Sequence, residues 1–215
     1  MPLQKNQVLT LRVERLSSDG SGVAHSPDGE TVFIPGAAPG DEARVRIVKD
    51  CKRYAFGILD EVLTPSPDRI PVDCAVAGPC GGCSLQHMDY DEQLRMKLER
   101  VNDALMRIGG VSTPVQDIIG MEYPLCYRNK AIYAVGKKNG RVVKGFYRAS
   151  SHDITPVEQC LLQLPLADKA AQTVCDWMNL RGIAPYDEAT GRGTVRHLFT
   201  RLSLIHISEP TRHAQ

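Results

Sequence analysis

The run Cys74-Ala-Val-Ala-Gly-Pro-Cys80-Gly-Gly-Cys83 constrains this chain more than any other stretch. Its thiols are spaced C-x5-C-x2-C, with Pro79, Gly81 and Gly82 among them. Glycine permits the tight backbone path that lets neighbouring thiolates converge on one centre. Two thiols in C-x2-C can chelate one metal ion. A third asks for a fourth ligand from elsewhere, and Cys160 in Thr155-Pro-Val-Glu-Gln-Cys160 is the best candidate. Four thiolates suit either structural zinc or an iron–sulfur cluster. A zinc ribbon offers two C-x2-C pairs, whereas this chain has one pair, one offset Cys and one distant Cys, which leans towards a cluster.

The rest of the composition sets the compartment. Hydrophobic residues make up 42% of the 215 and charged residues 24%, as in a soluble globular protein. No apolar run approaches the ~18 residues that would span a bilayer, and Met1-Pro-Leu-Gln-Lys-Asn-Gln lacks the basic-then-apolar order of a secretion signal. Seven cysteines without such a signal argue for a reducing compartment, where thiols hold metal or stay free. The expected location is the cytoplasm, with no membrane partner. A net charge of +1 is an average that can hide strong local bias.

Residues 1–65 read as short strands broken by turn residues. Gln7–Leu16 carries Val8, Leu9, Leu11, Val13 and Leu16, and Ser17–Gly22 makes a glycine-rich turn. Thr31–Ile34, Ala43–Val48 and Tyr54–Leu63 follow, each apolar or alternating. A series of short strands with no helix signal suggests a closed, oligonucleotide-binding type of barrel. Thr64–Pro71, with three prolines in eight residues, reads as a stiff linker into the cysteine loop. A helix follows, with Asp89 as N-cap and Glu92 completing a capping-box pair. Its stripe is Leu94, Leu98, Val101, Leu105 and Ile108, and Gly109-Gly110 ends it.

Residues 127–152 are chemically lopsided: seven Lys or Arg and no Asp or Glu. Asn139-Gly140 marks a two-residue hairpin turn, because that turn needs positive φ at both central positions. The expected ribbon presents Tyr127, Arg128, Lys130, Lys137, Lys138, Arg141, Lys144 and Arg148, with Tyr133, Phe146 and Tyr147 interleaved. Basic groups with aromatics can neutralise phosphates and stack on unpaired bases; the alternative is a hairpin that packs its aromatics inward and solvates its lysines. A second helix is expected over Leu166–Leu180, with Ala167, Ala170, Ala171, Val174, Trp177 and Met178 on its inner side and Cys175 a buried, inert thiol beside them. Cys51 and Cys126 belong to no motif. No phosphate loop, dinucleotide fingerprint or nucleophile elbow occurs, so the residues offer binding chemistry and no catalytic constellation.

Three stretches together resemble one family, the TRAM-domain RNA (uracil-5-)-methyltransferases that modify 23S ribosomal RNA. The first is Asp19–Ala24 with Val32–Gly36 and Pro39–Glu42, similar to the TRAM barrel. The second is Pro65–Arg69 leading into Cys74, Cys80, Gly81, Gly82 and Cys83, then Tyr90, Gln93, Leu94 and Lys97. The third is Tyr127-Arg-Asn-Lys130 followed by His152, Pro156 and Cys160, where the family places its fourth cluster ligand. The resemblance implies a [4Fe-4S] cluster on Cys74, Cys80, Cys83 and Cys160, an RNA substrate and S-adenosylmethionine as methyl donor of the full-length protein. In the family mechanism a cysteine thiolate adds to C6 of uracil, which makes C5 nucleophilic towards the donor methyl, and a carboxylate removes the C5 proton; without covalent activation C5 is too weak a nucleophile.

The chain departs from that family at its end. No residue matches the nucleophile or the base, so no catalytic residue is assigned, and the C-terminal Rossmann-like domain is expected to be absent. The tail after about residue 202 resembles a translated sequencing adaptor. The expected organisation is therefore a TRAM or OB-like barrel over 1–65, a linker and cysteine loop over 66–88, an α+β central domain over 89–202 and a non-native tail over 203–215. A monomeric, N-terminal, RNA- and cluster-binding part of the methyltransferase is the first reading. A stand-alone RNA-binding iron–sulfur or zinc module is the alternative. A radical S-adenosylmethionine enzyme would need C-x3-C-x2-C, and the first gap here is five.

Overall fold

Alternation of apolar and polar side chains dictates the N-terminal strands, since successive residues of a strand face opposite sides. The computed structural model describes residues 3–149 and 151–203; the expected tail lies, beyond Ser203, outside the described residues. Its first five strands are β1 (Val8–Leu16), β2 (Gly22–His25), β3 (Thr31–Ile34), β4 (Glu42–Asp50) and β5 (Tyr54–Thr64). They close into a barrel in the order β1-β2-β3-β5-β4. Neighbours run antiparallel except β3 and β5, which pair in parallel. Leu11, Val13, Val32, Ile34, Val45 and Ile47 are turned inward and form the barrel core.

The chain divides into two compact units, Met1–Asp73 with Cys83–Gly120, and Cys74–Gly82 with Met121–Gln215. That division crosses the expected 66–88 linker and cysteine-loop segment twice, after Asp73 and after Gly82, and it assigns the helix after residue 89 to the barrel's unit. Within the first unit the proline-rich stretch, expected as a stiff linker, is fastened to the barrel through Asp41. The buried Asp41 carboxylate accepts from the Ser66 amide (2.9 Å) and the Ala38 amide (2.7 Å) and pairs with Arg69 (2.5 Å). Helix α1 (Tyr90–Arg107) is capped by Asp89, whose side chain accepts from the Asp91 amide. The reciprocal half of the expected capping box is missing, because the Asp89 amide donates to the Asp68 carbonyl instead. Glu92 is buried beside Arg95, and burial pushes its carboxyl above the usual range. The stripe of α1 is covered only in part: Leu94, Leu98 and Leu105 are half-buried, while Val101 and Ile108 are exposed.

The second unit is a four-stranded antiparallel sheet, β8 (Ile154–Pro156), β7 (Arg141–Tyr147), β6 (Lys130–Lys138) and β9 (His197–Arg201) in that order. Asn139 and Gly140 take positive φ, 50° and 82°, between β6 and β7, as a tight hairpin turn requires. Helix α2 (Pro165–Arg181) starts on a proline and stops at Gly182 in the left-handed conformation. Its buried residues are Ala167, Asp168, Ala171, Cys175 and Met178. Ala170 and Trp177, expected on the inner side, are exposed. At 100° per residue they fall together at one edge of the stripe, while Cys175 falls within it.

Candidate functional site

The four candidate thiols are distributed over the two units: Cys74, Cys80 and Cys160 in the second, Cys83 in the first. All four are free of disulfides and half-buried. In the second unit the Cys80 backbone forms an isolated antiparallel bridge with Arg148, just after β7. A Cβ on Gly81 would come to 3.2 Å of the Ala149 backbone, so this approach suits glycine. Cys80 and Cys160 lie within electrostatic reach of each other. Burial pushes the Cys160 thiol up; the amides of Leu162 and Gln163 pull it down, and Asp168 and Cys80 add to the rise. Among the described residues, no group of three or more Cys, His, Asp or Glu side chains is arranged to hold a metal ion. The described structure thus records the Cys80 charge at Cys160.

The loop that carries Cys160 is fastened by a buried polar network that the sequence did not reveal. The Lys144 ammonium donates to the carbonyls of Val157 and Glu158 (both 2.8 Å) and to the Asp168 carboxylate (3.1 Å). Asp168 also accepts from the Tyr133 hydroxyl (2.9 Å) and from the Cys160 amide (2.9 Å). Tyr133 is driven far above the usual phenol range, first by burial and then by its hydrogen bond to Asp168. Lys144 is only 2% exposed. It is thus removed from the basic set expected at an RNA surface, because its charge is consumed inside the fold. A Lys at an inward position of β7 opposite an Asp on the first turn of α2 was the available signal, but it needs the sheet–helix pairing to be read.

The remaining basic candidates are exposed, and they fall at two places. Arg128 and Lys130 stand at the start of β6, with the Lys130 ammonium over the Phe199 ring at 5.3 Å. Lys137, Lys138 and Arg141 cluster at the hairpin, Lys138 and Arg141 being register partners. Arg148 follows β7 and Tyr127 precedes β6, both exposed. Of the interleaved aromatics, Tyr133 and Phe146 stack on one another inside (5.3 Å), and Tyr147 lies against His152 and His197. The ribbon thus offers cations outward and most of its rings inward.

The closed N-terminal barrel corresponds to a known domain class. Residues 2–59 match the TRAM domain, so the N-terminal barrel is of that class. Over 201 residues the chain is 42% identical to an uncharacterized RNA methyltransferase of Listeria innocua, covering 94% of this chain and 44% of that protein. An uncharacterized RNA methyltransferase of Halalkalibacterium halodurans is 43% identical over 201 residues, with coverage of 93% and 44%. The chain therefore spans less than half the length of these relatives. The fold is similar to that of the Pyrococcus abyssi tRNA (uracil-54, C5)-methyltransferase solved with S-adenosyl-L-homocysteine, with a TM-score of 0.62 and 22% identity over 89% of this chain and 42% of that one. No helix among the described residues is long and apolar enough to cross a membrane.

Proposed function

We propose that this chain is the TRAM-bearing, RNA-binding part of an S-adenosylmethionine-dependent methyltransferase that forms 5-methyluridine in 23S ribosomal RNA. The observation that carries the reading is similarity above 40% identity, over nearly the whole chain, to proteins named RNA methyltransferases. The TRAM match and the fold shared with a uracil C5-methyltransferase support it independently. In this reading methyl transfer belongs to the whole protein, and the residues present here bind and orient RNA. Deleting the gene that encodes the chain is expected to remove 5-methyluridine from 23S ribosomal RNA, measured by mass spectrometry of digested nucleosides, and a plasmid copy should restore it. Loss from transfer RNA instead would move the substrate; unchanged 5-methyluridine in both would overturn the reading.

A [4Fe-4S] cluster on Cys74, Cys80, Cys83 and Cys160 is part of the same proposal. Its support is donor chemistry: four thiols outside any disulfide, with Cys160 approached by the amides of Leu162 and Gln163. Hydrogen bonds to sulfur are a general feature by which proteins tune such centres. Protein purified without oxygen should carry iron and acid-labile sulfide, about four of each. One zinc and no sulfide would replace the cluster with a structural zinc site, and metal-free protein would remove the centre altogether.

A further inference from the structure

The barrel carries an exposed aromatic face that the sequence reading did not single out. Because β3 and β5 pair in parallel with Phe33 opposite Phe56 and Thr31 opposite Tyr54, three rings gather on the outer side of the barrel. Their centroids are 5.6 to 5.8 Å apart. Phe33 and Phe56 are tilted by 35°, and Tyr54 stands edge-on to both. Tyr54 is 40% exposed and Phe56 38%. Exposed aromatic rings in contiguous patches mark interaction sites on soluble proteins.

The charge around the patch selects its occupant. Lys49 is the register partner of Phe56 on β4, and Lys52 and Arg53 lie in the turn that leads into Tyr54. Further along the same strands the cations are neutralised, Arg44 by Glu61 and Arg46 by Asp60. Lys49, Lys52 and Arg53 form no ion pair among the described residues. The nearest acid in the turn, Asp50, accepts from the Lys52 amide at 2.7 Å. Aromatic faces bordered by uncommitted cations are the arrangement that holds unpaired bases by stacking and their phosphates by charge. We propose that the Phe33–Tyr54–Phe56 face of the barrel is a stacking platform for single-stranded RNA, with Lys49, Lys52 and Arg53 on its phosphates. This assignment rests on the RNA reading above and names the surface that performs it.

The test uses the 215-residue chain and a fluorescein-labelled single-stranded oligouridylate, titrated by anisotropy at several salt concentrations. Tyr54→Ala with Phe56→Ala should weaken binding about tenfold or more with the salt slope unchanged, because stacking releases no counterion. Tyr54→Leu with Phe56→Leu keeps apolar area on the strand and should lose the same affinity, with a parental melting curve by circular dichroism. Lys52→Ala with Arg53→Ala should instead make the salt slope shallower. If the parent binds and either aromatic pair binds as tightly, the platform is overturned while RNA binding elsewhere stands. If sedimentation shows that the parent self-associates through this face and the aromatic variants are monomers with parental RNA affinity, the occupant is a second copy and the proposal is overturned. A parent that binds no oligouridylate at any salt concentration would overturn both this assignment and the RNA reading beneath it.

Discussion

Two buried ion pairs decide much of what single substitutions will do. Asp41 is fully buried and the Arg69 side chain is 19% exposed. Burial would raise the Asp41 pKa, yet Arg69 and the amides of Ala38 and Ser66 outweigh it and hold the carboxyl below 3.8. Its contribution is present above that value and lost as pH falls through the depressed one. Asp41→Asn leaves the guanidinium without its counter-charge and should cost about 3 kcal/mol in urea unfolding. His87 titrates in a different window. Burial first, then Arg69, holds it below 6.5, against the opposing pull of Ala37 and Asp41. The folded state therefore keeps it neutral while the unfolded state takes up a proton below pH 6.5. Stability is expected to be flat above pH 7 and to decline from about 6.5 downward, and His87→Gln should flatten that part of the urea-midpoint profile. Lys144 gives the sharpest contrast among the basic residues. Lys144→Met strands Asp168 and two carbonyls and should cost about 3 kcal/mol, whereas Lys137→Met and Lys138→Met, both exposed, should stay within about 0.5 kcal/mol. Equal effects from all three, measured by chemical denaturation, would contradict the inward placement of Lys144.

At the scale of elements, the strands were legible wherever side chains alternate. β3 coincides with Thr31–Ile34, and β4 and β5 extend the expected segments by three residues and one. The Asn139-Gly140 turn was legible for a physical reason, since few residue pairs accept positive φ twice in succession. Helix faces were less so. Both helices were found, but periodicity cannot tell which part of a broad apolar stripe a sheet will cover, and so Trp177 was placed inside and stands half in solvent. β8 was not legible either, being three residues long and defined by its partner. That pairing depends on Gly145, where a Cβ would sit 2.0 Å from the Thr155 carbonyl oxygen. Gly145→Ala should push β8 away from β7 and destabilise the chain by about 3 kcal/mol or more. Amide exchange should accelerate first at Thr155 and Val157, next to the loop that carries Cys160. Unchanged protection there would show that β8 accommodates the methyl group by a shift elsewhere.

For the whole molecule, the sequence carried the local pieces better than their grouping. Barrel closure through the parallel β3–β5 pair, the alignment of three aromatic rings that follows from it, and the inclusion of α1 in the barrel's unit all depend on contacts between distant residues. The thiol set shows the same limit: four cysteines were picked out, and among the described residues no three of them form a metal-holding group. Charge is the property that acts at this scale. A net charge of +1 conceals exposed cations at both ends of the β6–β7 ribbon and beside the barrel's aromatic face. Each phosphate neutralised on a single strand contributes about 0.7 to the slope of log affinity against log salt. Replacing Arg128 and Lys130 together, or Lys137 and Lys138 together, should therefore make the slope shallower by about 1.4 if both cations of a pair touch phosphate. Titration against a ribosomal RNA stem-loop at low and moderate salt measures this directly. A shallower slope for one pair alone would place the RNA path at that end of the ribbon. Parental affinity and slope for both pairs would make the β6–β7 hairpin scaffold, because cations that release no counterion are not on the path of the RNA.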